Sequence, residues 1–290
     1  MPEFLQFLVS GLTVGAVYAL VALGFTLVYN ASDVVNFAQG EFVMLGGMVT
    51  VFAYAAGVPL PLAALIAIVS AVVVGLLLYW LAIAPARGAS AVTLIIITIG
   101  ASILLRGAAQ IVFDKQFHKL PSFSGDKPLD LFGAAVQPQS LWVLGGAAVI
   151  VLLLYIFLER TLLGKAVLAT AANRLAARLV GINTATIMAL ALGGSAAIGA
   201  VAGILITPIT LTSYDVGTLL ALKGFAAAML GGIGNPLGAV AGGLLLGLLE
   251  SFGAGYISST YKDAFAFIVI LAVLFAAPQG LFGRRAVDRV

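Results

Sequence analysis

The chain carries few charged residues, and this scarcity excludes a water-soluble globular domain. Lysine, arginine, aspartate and glutamate make up 9% of its 290 residues, whereas soluble chains carry about 25%. The formal net charge of +3 at pH 7 is modest, so we interpret the cationic residues as orientation signals and not as a nucleic-acid surface. Hydrophobic residues make up 62% of the chain, and the mean hydropathy is +1.19. The composition predicts a multi-pass membrane protein.

Cysteine is absent and histidine occurs once, which excludes several kinds of chemistry. Without cysteine there is no disulfide framework and no thiolate nucleophile. The one histidine, His118 in a polar loop, leaves little scope for a metal site, and we give it no role. The sequence also lacks the GxxxxGK[ST] phosphate loop and the HExxH and GxSxG patterns. We therefore expect that the chain is not an enzyme and holds no cofactor or metal of its own.

Apolar sequence is abundant and divides into nine segments. They cover about residues 4–28, 43–56, 62–83, 92–113, 140–158, 185–206, 217–232, 237–256 and 264–277. A helix needs about 20 apolar residues to cross a bilayer, and the 34 glycines favour closely packed helices. We predict an all-α, polytopic membrane helical bundle with about eight or nine transmembrane helices, in a single domain over residues 1–290.

Residues 29–42, YNASDVVNFAQGEF, are too polar for lipid although they lie between apolar segments. A broken or re-entrant element near residues 30–42 would face protein or water, and an ordinary polar loop is the alternative. Residues 32–47 and 214–232 also resemble each other, because both have an early Asp-Val and a closing Met-Leu-Gly-Gly. Such paired interruptions, in two halves that run in opposite directions, indicate the path of a transporter.

Residues 159–184 form a third polar segment, and its middle predicts an amphipathic helix. One face carries Leu168, Ala172, Leu175 and Leu179, and a neighbouring stripe carries Thr170, Arg174 and Arg178. We expect Gly181 to end this helix and Asn183 or Thr184 to cap the next one. From the pattern alone, the helix is either a connector on the membrane surface or a docking element for a partner protein.

Lysine and arginine concentrate in segments that fall on one side of a nine-span topology. Residues 159–184 carry four of them, the tail carries Arg284, Arg285 and Arg289, and a tight turn carries Arg87. Because short cationic loops stay in the cytoplasm, we expect a cytoplasmic C-terminus. The N-terminus and the nearly neutral loop at residues 114–139 are then expected outside.

Three charged residues, Arg106, Lys223 and Glu250, lie inside predicted spans. Charges in the membrane are costly and usually face the interior of the bundle. Lys223 and Glu250 both lie about 9 Å from the outer ends of their spans, at 1.5 Å per residue. We predict that they form a buried charge pair with a structural role, ahead of a role in substrate binding.

Four stretches, in order along nearly the whole chain, resemble one family of membrane proteins. They are NFAQGEFVMLGG, GKAVLATAANRLAARLVGIN, LKGFAAAMLGGIGNPLGAVAGGLLLGLLE and PQGLFG. These stretches are similar to the permease subunits of branched-chain amino-acid ABC importers, and in particular to the smaller of the two permease types. Gln39 departs from the pattern, because these proteins often have histidine there, and this difference bears on the substrate.

The resemblance implies a transmembrane permease subunit in a bacterial inner membrane. Its partners would be a homologous second permease, two cytoplasmic ATPase subunits that bind the ATP, and an extracytoplasmic substrate-binding protein. Residues 159–184 would then hold a coupling helix that docks on an ATPase. The expected coupling residues are Ala172, Asn173, Arg174, Ala176, Ala177, Arg178 and Gly181. The expected path residues are Asn36, Gln39, Glu41, Gly231, Gly232 and Asn235.

A standalone secondary transporter, driven by an ion gradient, is the alternative. It would need an acidic relay in the membrane, and the candidates are Asp33, Glu41, Asp215 and Glu250. Uptake that survives ATP depletion but fails without the ion gradient would favour it. Within the importer class, branched-chain amino acids are the default substrates, and the resemblance leaves urea, short amides and aromatic acids open.

Overall fold

The computed structural model describes residues 2–86, 88–131 and 133–283, so Arg87 and the tail arginines of the orientation argument lie outside the described residues. The helices are α1 (Pro2–Ser32), α2 (Gln39–Ala55), α3 (Leu60–Leu78), α4 (Ala91–Val112), α5 (Pro138–Arg160), α6 (Leu162–Ala172), α7 (Arg174–Leu179), α8 (Thr184–Thr210), α9 (Val216–Gly231), α10 (Pro236–Tyr256) and α11 (Lys262–Ala276). One turn of π-helix, Tyr79–Ile83, extends α3, and the short strands β1 (Leu129–Leu131) and β2 (Ala134–Val136) form an antiparallel hairpin.

Six of the described helices are long and apolar enough to cross a membrane: α1, α4, α5, α8, α10, and α3 together with its π-helical turn. The other three predicted spans are shorter helices, because α2, α9 and α11 have 17, 16 and 15 residues. At 1.5 Å per residue they reach about 22 to 26 Å, short of the roughly 30 Å hydrocarbon core. The prediction of an all-α membrane bundle is confirmed.

Helix α1 is the centre of the bundle. It packs against α5, α8, α9 and α10, and nearly every residue from Gly15 to Val28 is buried. Helix α8 is similarly enclosed, whereas α3, α4 and α5 expose most of their apolar surface. Those outer helices suit contact with lipid or with another subunit.

Small residues bring α1 and α10 into backbone contact. A Cβ atom added to Gly247 would lie 2.3 Å from Cα of Gly15, and one added to Gly15 would lie 2.9 Å from Cα of Leu244. Only glycine allows this approach, which is the usual way that membrane helices increase their packing contact. The α1–α10 pair is therefore a rigid central unit of the bundle.

The ends of the helices define two faces of the molecule. At one face, called here the hairpin face, Pro2 lies beside Gly133 of the β-hairpin. There the backbone of His118, which we expected to have no role, exchanges two hydrogen bonds of 2.8 and 2.9 Å with Thr212. At the opposite α6–α7 face, Arg174 contacts the end of α1 at Ala31. The loops at residues 114–139 and 159–184 therefore lie on opposite faces.

Candidate functional site

The first interruption of the helical bundle follows α1. Helix α1 continues to Ser32, whose Oγ donates a hydrogen bond of 2.8 Å to the carbonyl of Val28. Asp33 then adopts the left-handed region with φ of +57°, and residues 33–38 are not helical. The break is therefore shorter than the predicted 30–42, because α2 already begins at Gln39.

The second interruption follows α8, and the helices on either side of it run in the opposite direction to those around the first. Leu211 has φ of +66°, and the chain is irregular until α9 begins at Val216. Helices α1 and α8 are antiparallel, since the end of α1 and the start of α8 both lie at the α6–α7 face. Helix α2 runs towards the hairpin face, where Phe52 packs on the His118 ring, whereas α9 runs towards the α6–α7 face. This arrangement is the one expected of paired interruptions in a transporter.

The N-terminal ends of α2 and α9 meet inside the bundle at Gly40 and Gly217, a contact called here the junction. A Cβ atom on Gly40 would lie 2.0 Å from the carbonyl oxygen of Gly217, and a Cβ on Gly217 would lie 2.5 Å from that of Gly40. Each helix start presents N–H groups without intrahelical partners and a partial positive charge. The junction therefore concentrates two such ends at one place between the faces.

Gln39, one of the three predicted path residues near the junction, is fully buried and fills the space between α1 and α8. Its Nε2 donates to the carbonyl of Ser195 at 3.2 Å, and its Oε1 accepts from the Ser195 hydroxyl. A Cβ on Gly24 would lie 2.0 Å from Nε2 of Gln39. Gln39 therefore holds two long helices together.

Glu41, the second of these residues, is 1% exposed and only partly satisfied. Its Oε1 accepts a hydrogen bond of 2.7 Å from Ser102 of α4, whereas its Oε2 has no hydrogen-bond partner among the described residues. Arg106 and Asp215 are near enough to act on this carboxylate electrostatically. Asn36, the third residue, caps the turn through Oδ1, which accepts from the N–H of Ala38 at 3.1 Å.

The other predicted path residues, Gly231, Gly232 and Asn235, lie at the far end of α9. A Cβ on Gly231 would lie 1.8 Å from the carbonyl oxygen of Gly238, and Asn235 caps α10 through the N–H groups of Leu237 and Gly238. The structure therefore places these three at the α6–α7 face and does not bring them to the junction. They shape a tight α9–α10 turn beside a cavity of about 630 Å³.

The family follows from comparison with known proteins. Residues 7–274 match the family model described as a branched-chain amino acid transport system permease component. The chain belongs to this permease family. It is 35% identical, over 100% of both chains, to the high-affinity branched-chain amino acid transport system permease protein BraD of Pseudomonas aeruginosa. It is 34% identical to the permease protein LivH of Escherichia coli K12, over 99% of this chain and 98% of LivH.

More distant similarities extend the comparison. The permease is 27% identical to the ribose import permease protein RbsC of Escherichia coli K12, over 89% of this chain and 82% of that protein. The structure of PsaBC from Streptococcus pneumoniae in complex with Fab aligns with a TM-score of 0.51 at 17% identity. The alignment covers 96% of this chain and 93% of that chain, and it shows a shared fold.

The predicted coupling helix of the permease is two helices, α6 and α7, and not one. Asn173 separates them, because its Oδ1 accepts a hydrogen bond of 2.9 Å from the N–H of Ala176 and so caps α7. The expected common face of Leu168, Ala172, Leu175 and Leu179 is therefore wrong, since the break turns the later residues to another direction. Leu175 is 69% and Leu179 is 81% exposed.

Two of the expected coupling residues make side-chain hydrogen bonds to neighbouring helices. Arg174 donates to the carbonyl of Ala31 at the end of α1, and Arg178 donates to Thr184 Oγ1 at 3.0 Å. Ala177 is buried, whereas Ala172 and Ala176 are exposed. Gly181 has φ of +89° after α7, and Asn183, and not Thr184, caps α8. The α6–α7 segment is thus attached to both α1 and α8.

The Lys223–Glu250 pair is the centre of a larger cluster. Lys223 Nζ lies 2.7 Å from Glu250 Oε1 and 2.7 Å from Asp263 Oδ1. Tyr18 of α1 donates a hydrogen bond of 2.8 Å to Glu250 Oε2, and the ammonium lies 5.4 Å from the centre of the Tyr18 ring. The cluster connects α1, α9, α10 and α11, and it gives a partner to both oxygens of Glu250.

Residues that the sequence argument missed also lie near the junction. Ser102 and Thr218 border a cavity together with Arg106, which we noted as a membrane charge but did not place in the path. Ser102 and Arg106 are four residues apart, so they share one face of α4. A polar pair at that spacing in an apolar helix is the signal that could have identified them.

Proposed function

We propose that this permease is the transmembrane subunit of an ATP-binding-cassette importer and forms part of the translocation path for branched-chain amino acids. Membership of the permease family and full-length similarity to BraD and LivH support this assignment. The observation that carries it is the junction, where two interrupted helices of opposite direction begin at Gly40 and Gly217.

The same proposal assigns partners to the two faces. Two ATPase subunits, which bind the ATP, dock at the α6–α7 face in the cytoplasm, and a substrate-binding protein delivers its ligand at the hairpin face. A homologous second permease completes the path in the bacterial inner membrane. The concentration of cationic residues at 159–184 supports this orientation, and the exposed outer helices leave room for a partner.

Coupling would proceed through the end of α1. The exposed Leu175 and Leu179 give α7 an apolar surface that an ATPase groove can cover. Arg174 connects this segment to Ala31, and the first interruption begins two residues later, at Asp33. Displacement of α7 by an ATPase would therefore act on the residues that lead directly into the junction.

Reconstituted transport tests the assignment. The complete importer in proteoliposomes, supplied with its binding protein, is expected to accumulate labelled leucine, isoleucine and valine only when ATP is present. Urea, short amides and aromatic acids serve as competing substrates, and uptake of one of these alone would overturn the substrate class. Uptake that continues without ATP and stops when an imposed ion gradient collapses would instead identify a secondary transporter.

The coupling assignment has its own test. Arg174→Glu combined with Arg178→Glu is expected to lower uptake per ATP hydrolysed at least tenfold, because the variant removes both attachments of α7 and reverses their charge. The permease should still assemble, since both side chains lie at the surface end of the bundle. Lys165→Glu on α6, an exposed residue of the same charge, is the matched control. Unchanged uptake by the double variant would contradict the assignment.

A further inference from the structure

A small cavity opens beside the junction, between α4, the first interruption and α9. Its volume is about 200 Å³, and it is called here the α4 cavity. Its lining comprises Phe37, Ile99, Ser102, Ile103, Arg106 and Thr218, together with Ala221 and Leu222. Ile103 and Leu222, at its outer edge, are 59% and 50% exposed. The α4 cavity therefore faces outwards from this chain, where the proposed second permease would close it.

Arg106 in the cavity wall and Glu41 behind that wall form no ion pair with each other. Arg106 lines the cavity and makes no hydrogen bond or ion pair to a described residue. Glu41 lies behind Ser102, and its Oε2 is buried without a partner in the part of the chain that the structure describes. A buried carboxylate without a full set of hydrogen-bond partners lowers the stability of the fold. Its presence therefore indicates a functional role.

Uncommitted hydrogen-bonding groups surround the two charges. The hydroxyl of Thr218, which lines the α4 cavity, is buried and has no partner among the described residues. The amide nitrogen of Asn36 is in the same condition. Buried polar groups are normally satisfied by protein or by bound molecules. Thr218 is the one of these groups that lines the cavity, and its unsatisfied hydroxyl beside an open space indicates a polar ligand.

We infer that the α4 cavity is this permease's part of a binding site for a single zwitterionic amino acid with an aliphatic side chain. The inference rests on the proposed function and names the groups that recognise its substrate. Arg106 binds the carboxylate, because guanidinium forms paired hydrogen bonds with a planar anion. The ammonium group faces the negative charge of Glu41 and the Thr218 hydroxyl.

The remaining wall matches the other end of such a substrate. Ile99, Ile103 and Leu222 give the cavity an aliphatic side on which a branched side chain loses contact with water. The volume of about 200 Å³ on this chain's side gives room for one small amino acid. Urea carries no charge, so it gains no ion pair with Arg106 or Glu41, and the site disfavours it.

Cysteine protection tests the location of the site. The chain has no cysteine, so Leu222→Cys gives this permease a single thiol, at the exposed edge of the cavity wall. Its modification by a cationic methanethiosulfonate reagent is measured on the permease within the complete importer, and leucine is expected to slow it at least fivefold. Leu219→Cys, similarly exposed on α9 but outside the cavity lining, is the matched control and should show no protection. Equal rates with and without leucine at position 222 would overturn the inference.

Ligand analogues and charge variants test the chemistry. Leucinamide lacks the carboxylate and 4-methylpentanoate lacks the ammonium group, so neither should protect the thiol at concentrations where leucine does. Arg106→Gln is expected to raise the KM for leucine at least tenfold, and Arg106→Lys to recover part of the loss. Protection by leucinamide equal to that by leucine, or an unchanged KM in Arg106→Gln, would refute the assignment of Arg106.

The two proposals fail in different ways. If the unaltered importer takes up no branched-chain amino acid with ATP, the proposed function is wrong. If it does so, but Leu222→Cys is unprotected and Arg106→Gln keeps its KM, only the α4 cavity is wrongly assigned. Size-exclusion profiles of each variant importer distinguish a binding defect from a failure to assemble.

Discussion

Two buried glutamates in this permease have opposite surroundings. Glu250 receives hydrogen bonds on both oxygens, from Lys223 at 2.7 Å and from Tyr18 at 2.8 Å. Glu41 receives one, from Ser102 at 2.7 Å, and its second oxygen has no partner within the described ranges. Both carboxylates are almost completely buried, so depth does not distinguish them.

The two carboxylates differ in how much of their hydrogen-bonding capacity is unused. The Glu250 cluster joins four helices, and its partners are all side chains of the same chain, as in a structural charge pair. Glu41 and Arg106 keep hydrogen-bonding capacity beside a cavity. A fully hydrogen-bonded charge therefore stabilises the bundle, whereas a partly bonded one is available to a passing molecule. Lys223→Met and Glu41→Gln test this distinction, and two further variants give the scale of packing and loop effects.

Lys223→Met is expected to have the largest effect. It removes the cation at 2.7 Å from Glu250 and leaves only the more distant and half-exposed Lys262, at 3.6 Å. Breaking a buried pair in this way costs about 3–5 kcal/mol. The purified variant should lose most of its folded fraction in a fluorescence size-exclusion assay. Lys223→Met with Glu250→Gln should recover a large part of the stability, because it removes both charges. A double variant no better than the single one would show that the two residues are not energetically coupled.

Gly217→Ala is expected to rank next. Its added methyl group would meet the Gly40 backbone, which cannot move aside as a flexible side chain can. Overpacking of this kind costs about 1–3 kcal/mol, and it should lower the thermal unfolding temperature and the uptake rate together. Gly100→Ala on α4, where nothing lies within 4 Å of the new atom, is the matched control. Equal stability of the two variants would exclude the junction as a close contact.

Glu41→Gln should change the unfolding free energy by less than about 1 kcal/mol, since most of the large losses come from breaking satisfied buried groups. The glutamine carbonyl can still accept from Ser102, and the variant removes a buried charge that has no ion-pair partner. Leucine uptake should nevertheless fall at least tenfold. A destabilisation as large as that of Lys223→Met would remove the distinction between the two glutamates.

Asp114→Asn is expected to have the smallest effect, which is present at neutral pH and disappears in acid. The N–H of Gln116, at 2.7 Å, and the His118 ring hold the pKa of Asp114 below its ordinary value. A lowered folded-state pKa adds stability above the unfolded pKa of about 3.9 and loses it as the pH falls through the folded value. Asparagine tolerates the left-handed backbone at this position, so the two unfolding curves should differ slightly at pH 7 and converge in acid. Curves that stay parallel down to pH 2 would contradict this.

The sequence was sufficient for the fold class and for the location of both interruptions. Apolar length and the paired Asp-Val and Met-Leu-Gly-Gly stretches contain that information locally. The predicted extent of the first interruption was wrong, because the polar side chains of Gln39 and Glu41 led us to place both residues in a loop. Their helical conformation depends on Ser195 and Ser102, which are distant in sequence and cannot be assigned as partners from a local pattern.

The residues of the candidate site could be predicted from the sequence only in part, for a related reason. Glu41 could be selected because an acidic residue is unusual between membrane spans. Ser102 and Thr218 are common in membrane helices, so their types alone carry little information, and only packing shows that they share a cavity with Arg106. The single short amphipathic helix predicted in the middle of residues 159–184 was wrong, because the side chain of Asn173 caps a new helix there.

The pairing of Gln39 with Ser195 also has a consequence for biosynthesis. The two residues are separated by 156 positions, so the ribosome makes the first long before the second. During that interval the start of α2 carries an unsatisfied amide, which is unfavourable in hydrocarbon. Stable membrane integration of α2 therefore waits for α8, and in nascent chains truncated before residue 195 a cysteine introduced into α2 should react with a water-soluble thiol reagent.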